Sequence, residues 1–148
     1  MKIYIDTCCY GRPFDDQTQE RIAEETTALA TIIETCKIIG IPVVGSLVIV
    51  AEIAKNSDAE KRQSAQASYN EIITEVIPID ADIIKQSRIY ESDANLSGLY
   101  GLHLAAAIAA GANVLLTTDD YFVRSVQNKL NVKIKVLNPR TFLLGGLV

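Results

Sequence analysis

Short apolar runs alternate along this chain with longer segments in which apolar residues return every three or four positions. The runs predict five strands, at residues 2–6, 41–44, 75–80, 114–118 and 133–137. Pro78 makes the third of these a short or edge strand, because proline cannot donate a ladder hydrogen bond. Strands and helices therefore alternate throughout. This alternation predicts an α/β fold, a three-layer α/β/α sandwich around a mainly parallel central sheet.

Helical periodicity is clearest between the first two strands. One apolar stripe repeats there at steps of four and three: Ile22, Thr26, Leu29, Ile33 and Cys36. It predicts a helix from Asp16 to about Ile39, preceded by an irregular loop over residues 7–16. Further helices are predicted over residues 46–56, 58–74, 80–90, 99–110 and 119–130, and from Pro139 onward. Within residues 46–56 the β-branched Val48 and Ile49 also favour a strand, so that helix competes with an extended alternative.

The composition is that of an ordered globular chain. Its 148 residues suit a single domain, residues 1–148, of which 49% are hydrophobic and 22% charged. The three cysteines are odd in number, and Cys8 and Cys9 are adjacent, which suits neither a disulfide framework nor a zinc site. We therefore expect a reducing, cytoplasmic location. The longest apolar run, residues 38–51, is too short to cross a bilayer, so we expect no membrane partner.

Charge is unevenly distributed along the chain. The net charge of −4 and the pI of about 5.0 would repel nucleic acid if the charge were spread evenly. From residue 124 onward, however, the charged residues are all basic: Arg124, Lys129, Lys133, Lys135 and Arg140. This segment is consistent with a phosphate-binding face, and equally with ordinary solvated helix surfaces.

Three isolated carboxylates are the candidates for chemistry. Asp6 and Asp119 each follow a predicted parallel strand, so they are expected at the same edge of the sheet, where open α/β sheets place their sites. Glu52 lies in the apolar segment Val-Ile-Val-Ala-Glu-Ile-Ala, which leaves little reason for a solvated acid. Because buried carboxylates are costly without a compensating cation, three of them together predict an oxygen-ligand site for Mg²⁺ or Mn²⁺.

Structural roles compete with this interpretation at each position. Asp6 is also suited to capping a turn, and either Asp119 or Asp120 is suited to capping the helix that follows. His103, the only histidine, lies within a predicted helix, where a packed or hydrogen-bonded role is commoner than catalysis.

Taken in order, these segments resemble the PIN-domain family, metal-dependent ribonucleases that include VapC-type toxins. The resemblance spans nearly the whole chain: the opening Ile-Asp-Thr, the glutamate of Ala-Glu-Ile, Leu-His-Leu-Ala-Ala-Ala, and Leu-Leu-Thr-Thr-Asp-Asp-Tyr-Phe. It implies a compact α/β/α sandwich whose acids bind Mg²⁺ or Mn²⁺ and that cuts RNA.

The family's acidic positions transfer to this chain with one exception. Its first, second and fourth acids match Asp6, Glu52 and Asp119, which the resemblance makes the catalytic and metal-binding residues. The third acid falls on Tyr100, three residues before His103. A phenol titrates at about 10 and is neutral near pH 7, so a weaker metal site and reduced activity are expected. Three residues are expected to support the site or bind substrate: Tyr100, Thr118 and Asp120.

The function implied is that of a Mg²⁺- or Mn²⁺-dependent ribonuclease, the toxin of a toxin–antitoxin pair. RNA is then the substrate, an antitoxin protein the partner and a homodimer the expected assembly. One alternative is a PIN-fold module whose altered position at Tyr100 has ended cleavage and which binds RNA or a protein. Another is a doubly wound phosphatase or receiver-like domain that uses Asp6 as a nucleophile. Metal dependence of RNA cleavage separates these functions.

Overall fold

A computed structural model describes residues 1–145, so the last three residues of the expected domain, 146–148, lie outside the described range. The elements are β1 (Ile3–Ile5), α1 (Thr7–Gly11), α2 (Glu20–Ile39), β2 (Val43–Ser46), α3 (Leu47–Ala54), α4 (Ala59–Ile72), β3 (Glu75–Ile77), α5 (Ala81–Ala94), α6 (Gly98–Ala109), β4 (Val114–Leu116), α7 (Asp120–Lys129), β5 (Lys135–Leu137) and α8 (Pro139–Leu144). Arg12–Phe14 forms one 3₁₀ turn after α1.

The five strands form one parallel sheet in the order β3-β2-β1-β4-β5. β1 is central and wholly buried, with Tyr4 opposite Val44 on one side and Leu115 on the other. The prediction of an α/β sandwich with a mainly parallel sheet is confirmed. Since all the strands run the same way, the residues that follow β1, β2 and β4 meet at one edge.

The segment after β1 corrects the sequence analysis. The prediction of an irregular loop over residues 7–16 is wrong, because α1 and the 3₁₀ turn occupy most of this segment. The Asp6 carboxylate accepts a hydrogen bond from the Thr7 amide and caps α1, and Cys9 and Tyr10 anchor the helix in the core. This short helix therefore turns the chain back over the end of the sheet.

Two helix boundaries differ from prediction by four residues. α2 begins at Glu20 and not at Asp16, because the Asp16 carboxylate closes a local turn with the Thr18 amide at 3.0 Å. α5 continues past Tyr90 to Ala94, where Asn95 ends it in the left-handed conformation with φ 54°. Burial of Ala94 explains the extra turn, since that residue packs in the core.

The ambiguous segment at residues 46–56 is helical. Ser46 caps α3 by accepting a hydrogen bond from the Ile49 amide at 3.4 Å. Val48, Ile49 and Ile53 are buried at helical spacing, so tertiary packing outweighs their β-branched preference.

α5 and α6 pack closely against each other, and this contact sets the position of α6. A Cβ at Gly101 would lie 2.8 Å from the Ser87 carbonyl oxygen, which is too short for any real contact. Glycine is therefore required for the helices to approach this closely. Since α6 carries Tyr100 and His103, the contact also places both side chains.

No helix within residues 1–145 is long and apolar enough to cross a membrane. The longest, α2, has 20 residues, but charged side chains such as Glu24, Glu25 and Lys37 interrupt it.

Candidate metal centre at the carboxyl edge of the sheet

Polar side chains cluster where three neighbouring strands end. Asp6 follows β1, Ser46 ends β2 and Thr117 follows β4. The Asp6 amide donates to the Leu116 carbonyl at 2.9 Å, so the β1–β4 pairing continues up to the acid. A cavity of about 420 Å³ opens at this edge, and eight residues line it: Asp6, Thr7, Cys8, Arg12, Glu52, Tyr100, Thr118 and Asp119.

Asp6 lies at the base of the cavity and is 4% exposed. One carboxylate oxygen accepts from the Thr7 amide at 2.7 Å, and the other accepts from the Thr117 hydroxyl at 2.9 Å and the Cys8 thiol at 3.4 Å. Its cap role and its place in the cavity therefore coexist, because the two oxygens have different partners. The side chain is held rigidly by these donors.

Glu52 reaches the cavity from α3. Its Oε1 accepts from the Thr7 hydroxyl at 2.9 Å and is hydrogen-bonded to His103 Nε2. Partial burial by itself would raise the pKa of the Glu52 carboxyl. The hydrogen bond and charge of His103, together with the Thr7 hydrogen bond, outweigh burial and hold that pKa below its ordinary value.

His103 is the main finding that the sequence analysis missed. The imidazole is 1% exposed, and its Nε2 lies 3.3 Å from Asp6 Oδ1 as well as against Glu52. Burial disfavours the charged imidazole, but the Asp6 charge and the Glu52 hydrogen bond together raise the pKa of His103. The available signal was its position one turn after Tyr100, which places both residues on one helix face.

Within residues 1–145, one group of three potential metal-binding side chains has ligand atoms all within 4.8 Å: Asp6, Glu52 and His103. Two of the three are acids. The only Lys or Arg that lines the cavity is Arg12, whose guanidinium lies 3.0 Å from Asp15 and 3.2 Å from buried Glu25. Because that cation is already paired, the donor set suits a divalent cation.

Asp119 lies on the wall of the same cavity but is not part of that group. Its Oδ1 caps α7 by accepting from the Phe122 amide at 3.2 Å, while its Oδ2 accepts a hydrogen bond from the Tyr100 hydroxyl. The Tyr100 ring packs on Phe122 with centroids 4.8 Å apart. Burial, followed by the hydrogen bond to Asp119, raises the pKa of the Tyr100 phenol. Tyr100 therefore remains neutral and ties Asp119 to α6.

The two predicted supporting residues beside Asp119 are placed differently. Asp120 is exposed, lies outside the cavity lining and forms a two-point ion pair with Arg21, each contact 2.7 Å long. Thr118 lines the cavity, but it is the neighbouring Thr117 that donates its hydroxyl to Asp6. Thr117 could have been noticed only as the residue where the strand pairing ends.

This chain is similar to known proteins in sequence and in structure. The family model for the PIN domain matches residues 3–126. FitAcB from Neisseria gonorrhoeae is similar, with 18% identity, coverage of 95% of this chain and 99% of that one, and a TM-score of 0.60. VapBC2 from Rickettsia felis, bound to a DNA fragment from their promoter, has 16% identity, coverages of 93% and 98%, and a TM-score of 0.57. FitAB bound to an IR36 DNA fragment has 16% identity, coverages of 93% and 95%, and a TM-score of 0.63. No curated protein matches the sequence.

Proposed function

The chain belongs to the PIN-domain family, and from that premise we propose that it is a Mg²⁺- or Mn²⁺-dependent endoribonuclease. The observation that carries the proposal is the convergence of buried Asp6 with Glu52 and His103, beside a cavity that Asp6, Glu52 and Asp119 line. Acids gathered in one cavity suit a divalent cation, and the family to which the chain belongs comprises nucleases.

The residues of this chain contribute position and charge. When bound, a divalent cation supplies an activated water and offsets the negative charge that develops on the phosphate. Asp6, held by Thr7, Thr117 and Cys8, presents its carboxylate to the cavity without reorganisation. Glu52, at the rim, orients the attacking water or helps to hold the cation. Asp119, which also lines the cavity, adds a third negative charge.

RNA is the proposed substrate, and the basic C-terminal segment is proposed to bind its phosphates. Arg124, Lys129 and Lys133 are exposed, as expected for residues that meet solvent or a phosphate backbone. Arg140 is instead engaged with Glu24 at 2.8 Å. The remaining exposed cation, Lys135, lies on β5, so the available cations extend from α7, the helix that Asp119 caps, to β5.

Cleavage of single-stranded RNA with and without metal tests the proposal. We expect cleavage in Mn²⁺ or Mg²⁺, its loss with chelator, and a large loss in Asp6→Asn, which preserves the shape of the residue. Asp119→Asn and Asp120→Asn form a matched pair, because the two acids are adjacent and only the first lines the cavity. Asp119→Asn should reduce cleavage and Asp120→Asn should not. Metal-independent cleavage, or equal loss in the pair, would contradict the proposal.

A second candidate function is binding of RNA or a protein without cleavage. The observation that favours it is the hydrogen bond from Tyr100 to Asp119, which occupies one oxygen of an acid that the nuclease needs. RNA binding that is unaffected by chelator, together with no cleavage in any divalent metal, would support this function over the first.

We further propose an antitoxin partner, a homodimer and a cytoplasmic location. The likeness of the sequence to VapC-type toxins supports the first two, and the three free cysteines are consistent with a reducing compartment. Expression of the chain alone should slow bacterial growth, and Asp6→Asn should relieve the effect. Light scattering of the purified protein measures the oligomeric state, and a monomeric mass would contradict the proposed homodimer.

A further inference from the structure

Resting on the proposed metal-dependent function, we infer that His103 binds the cation directly through Nε2. The centre is then a mixed nitrogen and oxygen site that prefers Mn²⁺ to Mg²⁺. This role goes beyond the acids on which the nuclease proposal depends, and it concerns the only histidine of the chain.

The first support is the direction in which the imidazole points. His103 is buried, and its Nε2 faces the acids, 3.3 Å from Asp6 Oδ1 and in contact with Glu52 Oε1. A nitrogen lone pair facing two carboxylates is unfavourable unless a proton or a metal ion lies between them. The structure therefore requires one of these two at Nε2.

The second support is the hydrogen-bond chain behind the ring. His103 Nδ1 lies 2.7 Å from the Tyr4 hydroxyl, which in turn lies 2.8 Å from the Ser46 hydroxyl. Both hydroxyls can reverse direction without any heavy atom moving, so Nδ1 can either accept a hydrogen bond from the Tyr4 hydroxyl or donate one to it. When Nδ1 donates, Nε2 is free to bind metal. A metal-binding histidine usually has such an outer partner on its second nitrogen.

The third support is the spacing of the ligand atoms. Octahedral cations with bonds of about 2.1 Å have ligands about 3 Å apart when adjacent and about 4 Å apart when opposite. The atoms of Asp6, Glu52 and His103 all lie within 4.8 Å of one another, and the Asp6–His103 pair is 3.3 Å apart. Small side-chain adjustments are enough to bring these three ligand atoms around one ion.

The metal preference follows from the chemistry of imidazole. Mg²⁺ binds oxygen ligands almost exclusively, whereas first-row transition metals accept imidazole nitrogen readily. A nitrogen ligand in place of one oxygen therefore weakens the binding of Mg²⁺ more than the binding of Mn²⁺.

Pulsed electron paramagnetic resonance on the Mn²⁺-loaded full chain, free of any histidine tag, tests the inference. A directly bound imidazole gives ¹⁴N modulation of the Mn²⁺ signal. Because His103 is the only histidine, labelling histidine with ¹⁵N should convert the whole pattern to that of ¹⁵N. Bound Mn²⁺ without nitrogen coupling would overturn the inference while leaving the nuclease proposal intact. Absence of Mn²⁺ binding would overturn the inference, and absence of both Mn²⁺ and Mg²⁺ binding would overturn the nuclease proposal as well.

A titration of two variants gives an independent test. His103→Gln keeps an amide donor that can reach Glu52 but removes the imidazole. We expect its Mn²⁺ dissociation constant to rise at least about tenfold and its Mg²⁺ constant to change less than about threefold. If His103 only donates a hydrogen bond, both constants should stay close to wild type. Tyr4→Phe should produce a smaller loss of Mn²⁺ affinity, because it removes the outer hydrogen bond but leaves the imidazole in place.

Tyr10→Phe is the matched control for Tyr4→Phe. Within the described residues, the Tyr10 hydroxyl is buried without a hydrogen-bond partner, so its removal should not change metal affinity. Thermal unfolding verifies that each variant folds. If His103→Gln does not fold, the resonance measurement on the wild type still decides the question.

Discussion

Replacement of Tyr100 is the sharpest test of how the cavity works, because two substitutions separate its hydroxyl from its ring. Tyr100→Phe removes only the hydrogen bond to Asp119 and preserves the packing on Phe122. Hydrogen bonds to charged groups contribute about 1.5–3 kcal/mol, and solvent access to half-buried Asp119 favours the lower end. We expect a loss of about 1–2 kcal/mol, or about 3–6 °C in Tm, for the metal-free protein.

Tyr100→Asp replaces the donor with a second carboxylate beside Asp119. Without metal, repulsion between the acids and the lost ring contact should lower Tm further than Tyr100→Phe does. With Mn²⁺ bound, Tyr100→Asp should have a higher Tm than Tyr100→Phe, because the new carboxylate adds an oxygen ligand to a site that lacks one. A tenfold tighter site adds about 1.4 kcal/mol of metal stabilisation at saturating metal, which corresponds to about 4 °C.

The assay is thermal unfolding in chelator and then in increasing Mn²⁺, followed by RNA cleavage by the same preparations. Tyr121→Asp is the matched control, since Tyr121 is an exposed tyrosine on α7 that donates to the Asn95 carbonyl. It should show no added response to Mn²⁺. The reasoning is refuted if wild-type protein cuts RNA rapidly in Mn²⁺ and Tyr100→Asp changes neither the metal response nor the rate.

Three further outcomes are expected. Gly101→Ala should destabilise the protein by about 1–3 kcal/mol in urea unfolding, because its Cβ would lie 2.8 Å from the Ser87 carbonyl oxygen; an unchanged midpoint would show that α5 and α6 can separate freely. Neutralising Arg124 and Lys129 together should weaken RNA binding and make its affinity less dependent on salt concentration. A salt dependence like that of wild type would show that the phosphates bind elsewhere. Asp58→Ala should cost about 1 kcal/mol of stability, because the Asp58 carboxylate caps α4, and circular dichroism during thermal unfolding measures it.

The sequence by itself determined the order of elements and the edge of the sheet where chemistry is expected. Apolar runs separated by amphipathic segments specify parallel strands with crossover helices, and this is a local property that periodicity reports. The positions of Asp6 and Asp119 followed from it, because Asp6 comes directly after β1, and Asp119 follows Thr117 and Thr118 at the end of β4 in the same sheet. The family resemblance was readable partly for the same reason, since two of its motifs, those that contain Asp6 and Asp119, lie at strand ends.

Only the tertiary structure decided which side chains meet. His103 lies 51 residues from Glu52 along the chain, and nothing local shows that α6 packs so that its imidazole faces two acids. Asp119 and Asp120 are adjacent and chemically identical. Asp119 nevertheless faces inward, where it caps α7, whereas Asp120 faces outward, where it pairs with Arg21. Such contacts depend on how helices pack and on partners far away in the sequence. The free-energy differences that decide which side chains meet arise only when distant segments are brought together.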